Sequence, residues 1–247
     1  MNNDKAVVWL GLAVFIGTFL RAWQGLDFTD MGYWLTGYQQ LYTFPQAIGD
    51  GIVNWLTYFI GHGFGMLLGG TVLSYKLGYV LVVTATAVLS YVALSDVFGR
   101  SRVLAALTLL TALYAGKALG NWVGYNNLTA LFYLLGATLL YHGLVKQKLI
   151  FIVIAGVVFG ASVFVRLPNV LGFVLVSAIG LYAFASQWHW RKSLAWSAWF
   201  GAWYLLGMTM VWLLIVGSGH DALYLKGIDW IVDMAADGGS SHSGGAH

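Results

Sequence analysis

"LGYVLVVTATAVLSYVALS", residues 77–95, carries no charged side chain from end to end. A membrane-crossing helix needs about 20 mostly apolar residues, so this stretch reads as a span. Six more runs of the same kind lie at 6–24, 103–120, 127–145, 149–165, 169–187 and 193–216. Short polar breaks part them: Asp96 to Arg102, Asn121 to Asn126, Lys146 to Lys148, Arg166 to Asn169 and Gln187 to Lys192. Composition points the same way. Charged residues make up 9% of the 247 and apolar residues 60%, against about a quarter charged in soluble chains. One soluble core of this length cannot hide so much apolar surface, so lipid must solvate most of it. The expected fold is an all-α polytopic membrane protein, a bundle of about seven transmembrane helices.

Several function classes drop out at this level. The chain has no cysteine, which excludes disulfides and thiolate metal sites. Its formal charge is +3, but the cations stand singly or in pairs at run ends and form no stripe, so no nucleic-acid partner is expected. Phosphate-cradling glycine loops, nucleophile elbows and zincin motifs are missing. Trp122, Tyr125, Trp188 and Trp190 lie where apolar runs stop, as aromatic belts do. Ala6 to Leu20 is followed by no small-residue cleavage site and reads as an uncleaved first span.

Residues 51–75 leave the count open. They hold no charge, yet contain six glycines with Asn54 and His62. They suit an eighth span, or one or two helices lying on the surface. With seven spans and an internal amino terminus, Lys5, Arg100, Arg102, Lys146, Lys148, Arg191 and Lys192 fall inside. Arg21, Lys76, Lys117, Arg166 and Lys226 then fall outside, as the positive-inside rule prefers. An eight-span reading fits the later clusters equally well. Residues 217–247 are polar enough to leave the membrane and end in a Gly/Ser/His tail that reads as flexible. Glycines four apart, such as Gly156 and Gly160, suit close helix packing.

Only nine acids occur, all Asp, and two of them follow the first span directly: Asp27 and Asp30 in "GLDFTDMGYW", residues 25–34. Three residues apart on a helix or turn, the two carboxylates can meet one point. They would then hold a divalent metal through oxygen, or serve as a general base and its orienting partner. The plainer reading is that they cap and solvate a helix end. Among the cations, Lys76 interrupts an apolar run, Lys117 sits within a span's end, and Arg166 stands in "RLPN". An ionisable group within a span costs about 2.5–3.5 kcal/mol, so it usually has a partner or a task; snorkelling to the headgroups is the plainer alternative. Pro168 is expected to hold Leu167 extended and end the helix. That would leave the Arg166 guanidinium well shaped for a phosphate. No two histidines stand at metal-ligand spacing.

Taken together, the first span, "DFTDMGYWLTGYQQLYTFP", the uncharged stretch to Lys76 and the "FGRSR" turn at 98–102 resemble the amino-terminal module of GT-C membrane glycosyltransferases. This superfamily includes the protein O-mannosyltransferases and the aminoarabinose transferases. Arg166 followed by Pro168 is also family-like. Asn126 and Asn127 stand where the family often has a second acid. The resemblance covers about residues 6–216 and implies surface helices in a first outer loop at about 25–76, hence seven spans. It implies a sugar donor on a polyprenyl phosphate, with Asp27 or Asp30 as base and as ligands of a divalent metal. Lys76, Lys117, Arg166, Asn126 and Asn127 would then bind substrate. It also implies membrane lipids as partners and a bacterial inner (plasma) membrane, with the site on its outer side. Family members are usually longer, so a carboxy-terminal half or a partner subunit is an open expectation. The competing reading is a non-catalytic membrane protein that binds or translocates a lipid-linked substrate.

Overall fold

The structure is a computed structural model that describes residues 3–23, 30–99, 101–118 and 122–237. Among them there is no strand, and the chain is an all-α membrane protein. The helices are α1 (Asn3–Ala22), α2 (Asp30–Gln40), α3 (Trp55–Leu68), α4 (Val72–Phe98), α5 (Arg102–Ala118), α6 (Tyr125–Lys146), α7 (Leu149–Ser162), α8 (Ser177–Ala185), α9 (Trp190–Gly217) and α10 (Asp221–Asp237). Tight 3-10 turns at Pro45–Asn54 and Leu167–Val176 lead into α3 and α8. Among the described residues, five helical stretches are long and apolar enough to cross a membrane: Lys5–Ala22, Val72–Phe98, Tyr125–Lys146, Leu167–Ala185 and Trp190–Gly217. Two shorter apolar helices, Arg102–Tyr114 and Leu149–Ser162, lie where the sequence places its third and fifth spans.

Residues 51–75 do not form one helix. Gly69 and Gly70 both take positive φ, 95° and 68°, a conformation costly for any residue with a Cβ. Gly69 closes α3 left-handed with its N–H on Gly65 O. Thr71 then opens α4 with a capping box: its Oγ1 accepts from Ser74 N while Thr71 N donates to Ser74 Oγ, each at 3.2 Å. The signal "GGTVLS" at 69–74 is thus a complete stop and start. The break lets α4 begin five residues earlier than expected, so Lys76 lies inside its second turn and does not interrupt it.

Hydrogen bonds between elements sort the helix ends into two groups. At one end the first-loop elements lie over the bundle. Leu56 N donates to Phe164 O at 2.9 Å and Thr57 Oγ1 to Val165 O at 3.2 Å, joining α3 to the end of α7. Tyr38 OH of α2 donates to Val123 O at 2.6 Å, just before α6. Arg21 donates to Leu113 O, joining the last turn of α1 to α5. At the other end Asp96 of α4 pairs with His142 of α6 at 3.2 Å. There too Lys192 Nζ of α9 donates to Gln147 Oε1 in the α6–α7 turn at 2.9 Å. Trp188 and Trp196 flank Lys192, its ammonium 3.9 Å and 5.1 Å from the two ring centres.

The segment after the last span carries the helix α10, and one expectation changes near Pro168. Tyr224, Gly227, Ile228 and Ile231 form the helix's inner stripe, Gly227 against Ile52 and Val53 of the first 3-10 turn and Tyr224 against Phe164 and Trp212, while Lys226, Asp229 and Asp233 face out. The Gly/Ser/His tail, 238–247, lies outside the described residues. Near Pro168 the extended residue is Arg166 (φ −159°, ψ 127°), and Leu167 already begins the 3-10 turn. A helical first turn needs no N–H from Pro168, so the proline opens this turn as well as closing α7.

Candidate functional site at one end of the bundle

Asp27 and the side chains of Asp30 and Lys117 lie outside the described residues. The backbone nonetheless places Asp30 as the first residue of α2, one helical turn before Trp34. Of the other expected residues, Lys76 reaches the last residue of α1 and Arg166 and Asn126 meet beside Tyr125, whose ring touches Trp34 of α2.

Lys76 is 4% exposed, and its Nζ donates to Ala22 O at 2.9 Å. Ala22 is the last residue of α1, where backbone carbonyls lack partners within the helix and the dipole is negative. The ammonium therefore caps α1 from a neighbouring helix, just where the chain departs toward Asp27. Burial of a lysine is bearable because the charge meets this carbonyl.

Arg166 is exposed and stands between the close of α7 and the Leu167–Val176 turn. Its Nη1 donates to Asn126 Oδ1 at 3.4 Å, and its guanidinium carbon lies 5.1 Å from the centre of the Tyr125 ring. Among the described residues no carboxylate pairs with it. The Tyr125 ring in turn lies 5.6 Å from Trp34, which stacks on Tyr58 at 4.8 Å. Two ring-scale steps thus lead from Arg166 to the helix that begins with Asp30. Tyr38 and Tyr75 extend the aromatic layer, 5.5 Å apart.

Asn126 and Asn127 separate in role. Asn126 is exposed and holds Arg166. Asn127 is buried, and its Nδ2 donates to Trp122 O at 3.0 Å, fastening the turn before α6. Among the described residues no three histidine or aspartate side chains come together as a metal site. Asn126 Oδ1 accepts from Arg166, and the carboxylates of Asp27 and Asp30 lie outside the described side chains.

Two polar groups escaped the sequence reading. Asn169 is buried, and its Nδ2 donates to Thr129 Oγ1 at 3.0 Å and to Ser162 O at 2.9 Å. Tyr133 OH closes on Asn169 O at 3.2 Å. This knot sets the path of the chain directly after Arg166. A clue existed in the sequence: an amide immediately after Pro168, in a stretch otherwise apolar. His220 is also buried, and Trp55 Nε1 donates to its Nδ1 at 2.9 Å, so its proton sits on Nε2. Burial holds its pKa below the ordinary histidine value. Tyr42 lies between His220 and His62, 5.5 Å and 5.0 Å from the two imidazoles. This contact clamps α10 onto the first loop.

Fold and site together define an all-α membrane protein with cations, amides and stacked aromatics collected at one end of its bundle. No family model, no curated protein and no solved structure matches the chain.

Proposed function

We propose that the chain is a membrane glycosyltransferase of GT-C design, or the amino-terminal module of one, taking its sugar from a polyprenyl-phosphate donor at the outer face. The observation that carries this reading is the connection from Arg166 through Tyr125 and Trp34 to the helix that begins with Asp30. A base for the acceptor and a cation for the departing phosphate are what such a transfer requires. The acceptor hydroxyl oxygen attacks the anomeric carbon while the bond from that carbon to the phosphate oxygen breaks. The leaving phosphate keeps the electron pair, and a carboxylate takes the hydroxyl proton. Asp30 or Asp27 is the base in this scheme. Arg166 supplies the positive charge that stabilises the departing phosphate. No step is routed through a metal.

In the same reading seven segments cross the bilayer. Support comes from the helix ends: α7 starts beside the Gln147–Lys192 contact and finishes against α3, although it has only 14 residues. α3 has the same length but not the same course: its first turn meets Phe164 and its Gly65 lies against Tyr75 in the first turn of α4, so both its ends stay at one end of the bundle. The positive-inside count then puts the acid-bearing loop outside.

The test is transfer by the whole protein in membranes, from a radiolabelled polyprenyl-phosphate sugar, in Asp27→Asn, Asp30→Asn and Arg166→Gln variants that insert normally. At least one aspartate variant is expected to lose about 100-fold or more in rate, the usual weight of a positioned base. Full activity in both aspartate variants would leave the rival reading, a binder or carrier of lipid-linked substrate.

A further inference from the structure

His220 forms the joint between α9 and α10. Gly219 before it takes a positive φ of 71°. The N–H of His220 donates to Ile215 O at 3.0 Å, and its carbonyl accepts from Tyr224 N at 2.9 Å, the first bond of α10. The side chain leaves this joint and meets α3. It is 4% exposed, and its Nδ1 accepts from Trp55 Nε1 at 2.9 Å. Trp55, the first residue of α3, is fully buried.

Three features restrict this contact to a neutral imidazole. An indole N–H donates and never accepts, so a proton on Nδ1 would set N–H against N–H. The ring is shut away from the water that would solvate a charge, and burial lowers its pKa. It also stands at the amino end of α10, where the helix dipole is positive and repels a cation.

The titratable neighbours do not relieve this. Tyr42 of the first loop places its ring 5.5 Å from the imidazole, and the same ring lies 5.0 Å from His62 of α3. His62 is itself bonded through Nδ1 to Tyr38 O at 2.7 Å. From α9 comes Ile215, which does not titrate. From α10 come Asp221, next in the chain, and Tyr224, whose ring packs against Phe164 and Trp212. Further along, Asp50 and Lys226 line a cavity of about 320 Å³ between the first 3-10 turn and α10. Among the described residues no carboxylate forms an ion pair with His220.

We infer that His220 is an acid-operated latch: a proton on its imidazole breaks the bond to Trp55 and frees the start of α10 from the first loop. The inference goes beyond the transfer reading and does not depend on it. Docking is complete above the ordinary histidine value and weakens as pH falls below it, since only the released form takes the proton freely.

The chain has no cysteine, so a nitroxide pair can be placed by Ala47→Cys in the first 3-10 turn and Ala222→Cys in the first turn of α10, both exposed positions. Electron spin resonance reads the distance between the labels on the whole protein in nanodiscs, from about pH 8 to about pH 5. Acid is expected to bring in a longer distance with a midpoint below the ordinary histidine value. The ratio of released to docked should rise by up to about tenfold per pH unit, the slope of one proton. His220→Gln keeps an acceptor for Trp55 but cannot charge, so its labels should hold the short distance throughout. Where that variant fails to fold, Trp55→Phe reads the same bond: with the donor gone the neutral ring loses its advantage, and the midpoint moves to higher pH. One distance at every pH, an acid response that survives His220→Gln, or a midpoint unmoved by Trp55→Phe would each overturn the inference.

Discussion

Small residues do opposite things on the two sides of this bundle. Where α7 meets α9, glycines let backbone touch backbone. A Cβ on Gly156 would lie 2.6 Å from Phe200 O, and one on Gly160 or Gly207 would collide with the Tyr204 or Val157 carbonyl. Between α4, α5 and α6, alanines, serines and threonines face one another and leave a trench. The lesson is that a small side chain produces contact only if the opposing surface advances into the space. In lipid no hydrophobic force closes the gap, because hydrocarbon fills it as well as leucine does. Phe159 illustrates the closing move: its ring occupies the space above Gly136 of α6 and packs 6.2 Å from Phe200. Leu113 of α5 makes a similar move over Gly17 of α1, while the residues of α5 that line the trench, Leu104, Leu107, Thr108, Thr111 and Ala112, leave it open.

The hardest blow to this contrast would come from Gly160→Leu. With backbone as the neighbour nothing can swing aside, so α7 and α9 must separate, at a cost of about 3 kcal/mol. Thermal unfolding in detergent and the loss of a monodisperse peak on size exclusion would register it; wild-type stability would mean that the two helices are not in close contact. A middle-sized effect is expected from Asn169→Ala. It removes the donor to Thr129 and Ser162 and should cost about 1 kcal/mol, since Ser162 O keeps its bonds from Val165 and Arg166. A much larger loss of stability in the same unfolding assay would show that the Asn169 knot holds more than its own chain segment. The smallest effect sharpens the comparison from the other side. Thr111→Leu, an exposed residue lining the trench, should change stability by no more than about 0.5 kcal/mol, because no protein group fills that volume and the added methyls displace nothing. A marked destabilisation there would mean that the trench is packed by protein.

Much of this arrangement was legible in the residues. The apolar runs found every long helix, since length and hydropathy are local properties. Gly156 and Gly160 were readable as a packing edge for the same reason. The break at Gly69–Thr71 was equally local, and its cap signature decides that α3 ends short of α4. The helix at 221–237 escaped because its stripe of Tyr224, Gly227, Ile228 and Ile231 is interrupted by Lys226, Asp229 and Asp233, so average polarity conceals its period. The contacts that build the site are another matter. Arg166 meets Asn126 across 40 residues and Trp55 meets His220 across 165. Such pairings are set by which helix ends share a side of the bundle, a fact of topology that no window of sequence contains. Arg166 stood out as a cation at a broken helix end, but its amide and aromatic partners became visible only with the fold.

The bond from Lys76 to Ala22 also bears on how the protein is made. An ammonium on an otherwise apolar helix is a liability as that helix leaves the insertion machinery, unless an acceptor is already waiting in the lipid. Here the acceptor is translated first, because Ala22 precedes Lys76 by 54 residues. Synthesis from the amino terminus thus delivers the socket ahead of the plug, and α4 can be received by its own predecessor.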